Sequence, residues 1–130
     1  ILHFLFTRMR MIAVDRHNMD MHAMRACLKT LQEKHPLGIF PEGTRHKEGV
    51  MEQMEGGTAM IALRSGAPLL PVYIAGKAKL WRTTDCYVGT PIPYADLAAK
   101  GINRDACDAL DRRITETYRA LVAEHERTLQ

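Results

Sequence analysis

The chain has 130 residues and a mass of 14.7 kDa, enough for one domain and too few for two of ordinary size. Hydrophobic residues make up 46% and charged residues 25%, a globular balance that excludes a disordered or fibrous chain. The net charge is only +3, and no basic run is interleaved with aromatics, so nothing points to a nucleic acid as partner.

The chain opens on Ile1 rather than Met, which suggests processing, trimming or a partial reading frame. Its first stretch, Ile1-Leu2-His3-Phe4-Leu5-Phe6, is apolar, with Arg8 and Arg10 behind it. A signal peptide carries its charge ahead of the apolar run. This order reads instead as the end of a helix, either touching a membrane interface or cut from a core. No run approaches the ~18 apolar residues of a transmembrane helix.

Met11-Ile12-Ala13-Val14, ended by Asp15-Arg16, suits a buried strand. Asn18 can cap a helix beginning near Met19, whose apolar stripe is Met21, Met24, Leu28 and Leu31. Lys29 and Lys34 fall toward its C-terminal end, where cations are favoured, and Pro36 stops it. Leu37-Gly38-Ile39-Phe40 is the next strand candidate, halted by Pro41. A polar loop from Glu42 to Glu55 leads through Gly56-Gly57 into a helix over residues 59–63, closed by Ser65-Gly66 with Pro68 beyond. Residues 69–74 form a strand with Pro71 at its start or at an irregularity, and Cys86-Tyr87-Val88-Gly89 is one more. From Asn103 onward, Leu110, Ile114, Tyr118 and Leu121 mark a long helix with a charged outer face. This alternation implies an α/β fold with an open, largely parallel sheet and helices on its faces.

Cys27, Cys86 and Cys107 form no C-x-x-C pair and no zinc spacing, so they read as small buried hydrophobes in a reducing, cytosolic setting. No metal site is expected. The segment with chemical content is Ile39-Phe40-Pro41-Glu42-Gly43-Thr44-Arg45, placed where a strand runs into a loop. Ligands of open α/β sheets bind beyond the carboxyl ends of the strands. Pro41 fixes a φ angle, and Gly43 allows close backbone approach. Thr44 offers a hydroxyl, and Arg45 a planar fork that can hold a phosphate through two parallel hydrogen bonds. Glu42 can orient that fork or accept a substrate hydroxyl. The bland reading is a polar turn with a surface ion pair worth about 0–1 kcal/mol.

The run Phe40-Pro41-Glu42-Gly43-Thr44-Arg45 resembles the substrate-binding block of the glycerolipid acyltransferases, the 1-acylglycerol-3-phosphate (lysophosphatidic acid) acyltransferase family. Ile12-Ala13-Val14-Asp15-Arg16 resembles the block whose arginine helps to hold the acceptor phosphate. Leu70-Pro71-Val72-Tyr73-Ile74 resembles the strand block after the Gly-containing helix of residues 57–66, and the blocks stand in the family's order over about residues 1–95. The resemblance implies a glycerol-3-phosphate acyltransferase-like fold, here a single domain over residues 1–130 lacking its N-terminal catalytic block. It implies transfer of a fatty acyl group from a thioester, acyl-CoA or acyl carrier protein, to lysophosphatidate, forming phosphatidate with no further cofactor. Arg16 and Arg45 would neutralise the acceptor phosphate, Gly43 and Thr44 would shape its cradle, and Glu42 would order the acceptor or Arg45. Pro71 would be structural, and Lys47 is a further cation of the loop. Work at the cytoplasmic face of a membrane follows, as a peripheral enzyme or one anchored through residues ahead of Ile1.

One departure matters most. The family's catalytic pair is a His and an Asp five positions apart, a general base with an orienting carboxylate. Five positions after His3, His17, His22, His35, His46 and His125 stand Arg8, His22, Cys27, Phe40, Met51 and Gln130. None is acidic. His17 and Asp20 are only three apart and follow the Arg16 block, whereas the family's pair precedes it. A second departure is Glu55-Gly56 ahead of Gly57, where related enzymes often carry basic residues. The expectation is therefore an acceptor-phosphate site without its general base, the base lying ahead of Ile1, and a polypeptide that is inactive alone. Two other readings stay open: a non-catalytic phosphate- or lipid-binding module of the same fold, and an unrelated α/β protein with a chance Pro-Glu-Gly-Thr-Arg turn.

Overall fold

The structure is a computed structural model and describes residues 11–12, 21–41, 57–75 and 83–128. The chain divides into two compact units, Ile1–Ile39 and Phe40–Gln130, taken here in turn.

In the first unit, α1 spans Met21–Gln32. Its buried residues are Ala23 and Cys27, one helical turn apart, with Met24, Leu28 and Leu31 half-buried beside them. Met21, expected on the apolar stripe, is exposed, so the buried line lies one position off the larger side chains. The helix ends without glycine: the His35 N–H donates to the Thr30 carbonyl at 3.1 Å and the Lys34 N–H to that of Leu31 at 3.0 Å. That pairing is a Schellman cap, and it forces Lys34 to a φ of 59°. Residues 37–40, expected as a strand, form no strand. Pro36 and Pro41 bracket them and Gly38 weakens them, leaving a stretch with little β propensity. Of the expected strand at residues 11–14, the last two lie outside the described residues.

The second unit is built on α2 (Gly57–Ser65), β1 (Val72–Ile74), β2 (Cys86–Val88), α3 (Ala95–Ala98) and α4 (Arg104–Thr128). α2 ends as its sequence requires, with Gly66 at a φ of 65° and its N–H on the Ala62 carbonyl at 2.9 Å. Asn103 caps α4: its Oδ1 accepts the Ala106 N–H at 2.8 Å. Asp105 in the first turn and Arg127 in the last complement the helix dipole.

β1 and β2 pair antiparallel, Val72 with Val88, Tyr73 with Tyr87 and Ile74 with Cys86. This corrects the expected parallel sheet as far as the described residues go. A parallel pair needs a crossover of roughly a dozen residues or more, usually a helix, and residues 75–85 are too few for one. The ladder continues through the Gly89 N–H to the Pro71 carbonyl at 2.9 Å and the Ile92 N–H to that of Leu69 at 2.9 Å. Between these two bonds the register slips by one residue, as at a bulge, where Pro71 and Pro91 have no N–H to give. The expected strand of residues 69–74 is thus broken into a bridge at Leu69 and a short β1.

The core lies between α2 and α4. Ala59, Ala62 and Leu63 face Ala106, Cys107, Leu110 and Ile114, with Ile92, Tyr94 and Leu97 filling the end. Small residues on α2 let the two helices approach closely, and Leu110 is fully buried, worth about 1.5–3 kcal/mol. Against the far half of α4 packs an aromatic group: Tyr73 meets Tyr118 edge-on at 5.9 Å, and Tyr87 lies 4.0 Å from the His125 ring. His125 is buried, and its Nδ1 has no hydrogen-bond partner among the described residues. The other face of the ribbon exposes Val72, Ile74, Val88 and Cys86, so Cys86 departs from the buried-hydrophobe expectation. Cys27 and Cys107 fulfil it, burial pushing both thiols up from their ordinary range. No helix among the described residues is long and apolar enough to cross a membrane.

Candidate functional site

The expected phosphate site lies wholly outside the described residues. Arg16, Glu42, Gly43, Thr44 and Arg45, with Lys47, His17, Asp20, Glu55 and Gly56, lie outside the described residues. What the structure fixes is the frame on either side of the loop. Upstream, Phe40 is 82% exposed and Pro41 is half-buried. Downstream, the loop ends in the first turn of α2, where Thr58 and Ala59 are buried while Gly57 is exposed.

That first turn has a long-range partner. Asp111 of α4 accepts the backbone N–H of Ala59, one of the amides a helix cannot satisfy internally. The carboxyl is half-buried and its Oδ1 has no hydrogen-bond partner among the described residues. Burial, and secondarily the Asp108 charge, raise the Asp111 pKa, with the Ala59 amide opposing. At the other end of α2 the buried Tyr94 hydroxyl reaches the Ala62 carbonyl at 3.2 Å and the Ala67 carbonyl at 2.6 Å. It thereby ties the last turn of the helix to the segment entering β1. Burial raises the Tyr94 pKa, so the hydroxyl stays a donor.

Tyr94 is itself held from below. Arg113 of α4 grips Asp96 of α3 with two parallel bonds of 2.8 and 2.9 Å and adds a third, 2.6 Å, to the Pro93 carbonyl. The Asp96 carboxyl falls to about 2, chiefly through its hydrogen bond to Arg113.

Shallow recesses open on the surface of the larger unit among the described residues. One of about 380 Å³ lies along the outer side of α4 beside Asp108, Asp111 and Arg112. One of about 210 Å³ lies beside Tyr87, Leu121 and His125. Neither includes a residue expected at the phosphate site, and no group of His, Cys, Asp or Glu among the described residues could hold a metal. The sequence reading missed Tyr94 and Asp111. Asp111 follows directly on the buried Leu110, so its place beside the apolar stripe of α4 was a usable signal; Tyr94, between two short elements, gave none.

The acyltransferase family model matches residues 1–75, and the chain belongs to that family. It is similar to the 1-acyl-sn-glycerol-3-phosphate acyltransferase of Limnanthes douglasii, 31% identical over 104 residues, which is 78% of this chain and 37% of the relative. The enzyme of the same name from Bacillus subtilis (strain 168) is 32% identical over 117 residues, 79% of this chain and 55% of the relative. That of Borreliella burgdorferi is 40% identical over 45 residues, 35% of this chain and 18% of the relative. The chain thus spans about a third to about half the length of the first two of these relatives. No solved structure matches it.

Proposed function

We propose that this chain is the acceptor-binding part of a glycerolipid acyltransferase that converts lysophosphatidate to phosphatidate. The observation that carries the reading is the family match over residues 1–75, which contains both the Arg16 block and the run from Phe40 to Arg45. Relatives named for 1-acyl-sn-glycerol-3-phosphate support the acceptor class.

In this reading Arg16 and Arg45 neutralise the acceptor phosphate, Gly43 and Thr44 line it, and Glu42 orders Arg45 or the glycerol hydroxyl. Charge-assisted bonds from a guanidinium suit a phosphate because donors and acceptors match in spacing. In the reaction the acceptor hydroxyl oxygen attacks the thioester carbonyl carbon, the carbon–sulfur bond breaks, and the hydroxyl proton ends on the departing thiol of coenzyme A or acyl carrier protein. A base must take that proton on the way, and no histidine of the chain has an acidic residue five positions on. The polypeptide alone therefore binds acceptor without turning it over. Association with the cytoplasmic face of a membrane belongs to the same proposal, since acceptor and product are bilayer lipids. The open, largely parallel sheet expected with it is likewise proposed, the described strand pair being antiparallel.

The test is calorimetric titration of the chain with a short-chain lysophosphatidate below its micellar concentration. Arg45→Ala should weaken binding by about 1.5–3 kcal/mol, the range for a hydrogen bond to a charged group. Arg45→Ala binding like wild type would sink the reading. The second reading, a non-catalytic lipid-binding module, is favoured by the lack of the His–Asp spacing. It fails if the reading frame ahead of Ile1 encodes His-x-x-x-x-Asp.

A further inference from the structure

We propose that His125 is a pH-sensitive latch, which holds the last turns of α4 on the inner face of the β1–β2 ribbon while its imidazole is neutral and releases them when the ring takes up a proton. The latch stands whether or not the chain binds lysophosphatidate.

His125 is the last buried residue of α4, and Glu126, Arg127 and Thr128 beyond it are exposed. Only 7% of His125 itself is exposed. Its ring centre lies 4.0 Å from that of Tyr87 on β2 and 5.5 Å from that of Tyr73 on β1, so one side chain engages both strands. Each strand has three residues, and a two-stranded ribbon is marginal in water without a packed face. That face is made by Tyr73 and Tyr87, with Tyr118 edge-on to Tyr73 and His125 closing the end. β1 falls within the family match of residues 1–75 and His125 beyond it, so the latch joins the two parts of the chain.

A phenylalanine or leucine would fill the same space. The imidazole adds a polar cost, because its Nδ1 is buried and has no hydrogen-bond partner among the described residues. Protonation makes both ring nitrogens donors and gives the ring a full charge, and a buried charge needs a partner. The groups around the ring are Tyr73 from β1, Tyr87 from β2 and, from α4 itself, Glu124 at the recess of about 210 Å³. Tyrosine supplies no negative charge where an imidazole titrates. Glu124 is exposed, and the ion pairs of α4 among the described residues, Arg104–Asp108 and Arg113–Asp96, do not include His125. Ring faces and a helix end favour a cation, but neither gives Nδ1 the acceptor its proton would require. Taking up a proton is therefore linked to release, as for other histidines buried in the neutral form. Once released, the end of α4 frays, since a short helix end off its support does not persist in water. Leu110 and Ile114 keep the first half of α4 on α2, so the opening is local.

Amide exchange on the whole chain, corrected for its intrinsic pH dependence, reads the opening at residues 122–125, with residues 62–65 of α2 as reference. With an imidazole value of about 6.5 in the open state, protection at residues 122–125 should fall about tenfold between about pH 7.5 and about pH 5.5. Residues 62–65 should keep theirs. His125→Phe, which fills the space without titrating, should remove the pH dependence, and His125→Leu serves if the phenylalanine variant does not fold. Protection that stays flat or rises in acid overturns the latch, the second outcome showing that the tyrosine faces and the helix end hold the cation. A fall shared equally by residues 62–65 overturns it as well, being global unfolding. So does a fall that persists in His125→Phe, because another group is then the one that titrates.

Discussion

A Cβ placed on Gly89 would stand 2.9 Å from Cγ of Pro71, nearer than real side chains come. The same two residues are joined through the Gly89 N–H and the Pro71 carbonyl at 2.9 Å, so neither can withdraw without breaking the ladder. Leu121 Cδ2, 3.4 Å from the same point, closes the space further. Gly89→Ala is therefore expected to lower stability by about 1–3 kcal/mol through overpacking, measured by urea unfolding. A variant as stable as wild type would show that the proline ring can give way.

Lys34 closes α1 in the left-handed region, at a φ of 59°, where a side chain costs about 1–2 kcal/mol and glycine costs nothing steric. Lys34→Gly should recover up to about 1 kcal/mol, after glycine's larger chain entropy is counted. It should also slow amide exchange at His35. Lys34→Ala should recover none of it, which separates backbone strain from the loss of a lysine.

The Arg113 grip gives a pH signature. Asp96 is held down to about 2, below its unfolded range of about 3.9. A depressed carboxyl stabilises the fold above the unfolded value, and that contribution fades as pH falls through the folded one. Carbon-detected titration should find Asp96 moving up toward the ordinary carboxylate range in Arg113→Ala. An unmoved Asp96 would mean that the helix start, not Arg113, sets its affinity for protons.

Asp111 behaves in the opposite sense. Its pKa is raised by burial, so its contribution is fully present below the unfolded value and is lost as pH climbs through the folded one. Above its folded value the ionised carboxyl works against the fold. Asp111→Asn should be more stable than wild type there, and the gap should close on acidification toward about pH 4, the ordinary carboxylate range. Paired denaturant titrations across that interval give the answer, and a gap of constant size would exclude ionisation as its cause.

Elements whose signals are local were readable from the amino acids. Gly57 and Ser65-Gly66 delimit α2, and Asn103 announces α4, because a cap or a left-handed turn needs only a few neighbouring residues. The stripe of Leu110 and Ile114 placed the core face of α4 correctly, since its period repeats over several turns. The direction of the β1–β2 pair was not readable from strand–helix alternation, because pairing depends on what the intervening residues can build. Residues 37–40 look like a strand in composition yet form none, as a strand exists only through its partner. The run from Phe40 to Arg45 was legible as a motif of the family. The tie of Asp111 to Ala59 was not, since it joins positions far apart in sequence through one backbone amide.

The aromatic group over α4 makes the larger unit separately visible. The chain has four tyrosines and one tryptophan; Tyr73, Tyr87, Tyr94, Tyr118 and Trp81 all fall within Phe40–Gln130, and none within Ile1–Ile39. The tyrosine and tryptophan bands of near-ultraviolet dichroism and fluorescence therefore read that unit alone, while far-ultraviolet dichroism also sees α1. Two melting curves from one sample report whether the units unfold as one cooperative body, for coincident midpoints are the mark of a single transition.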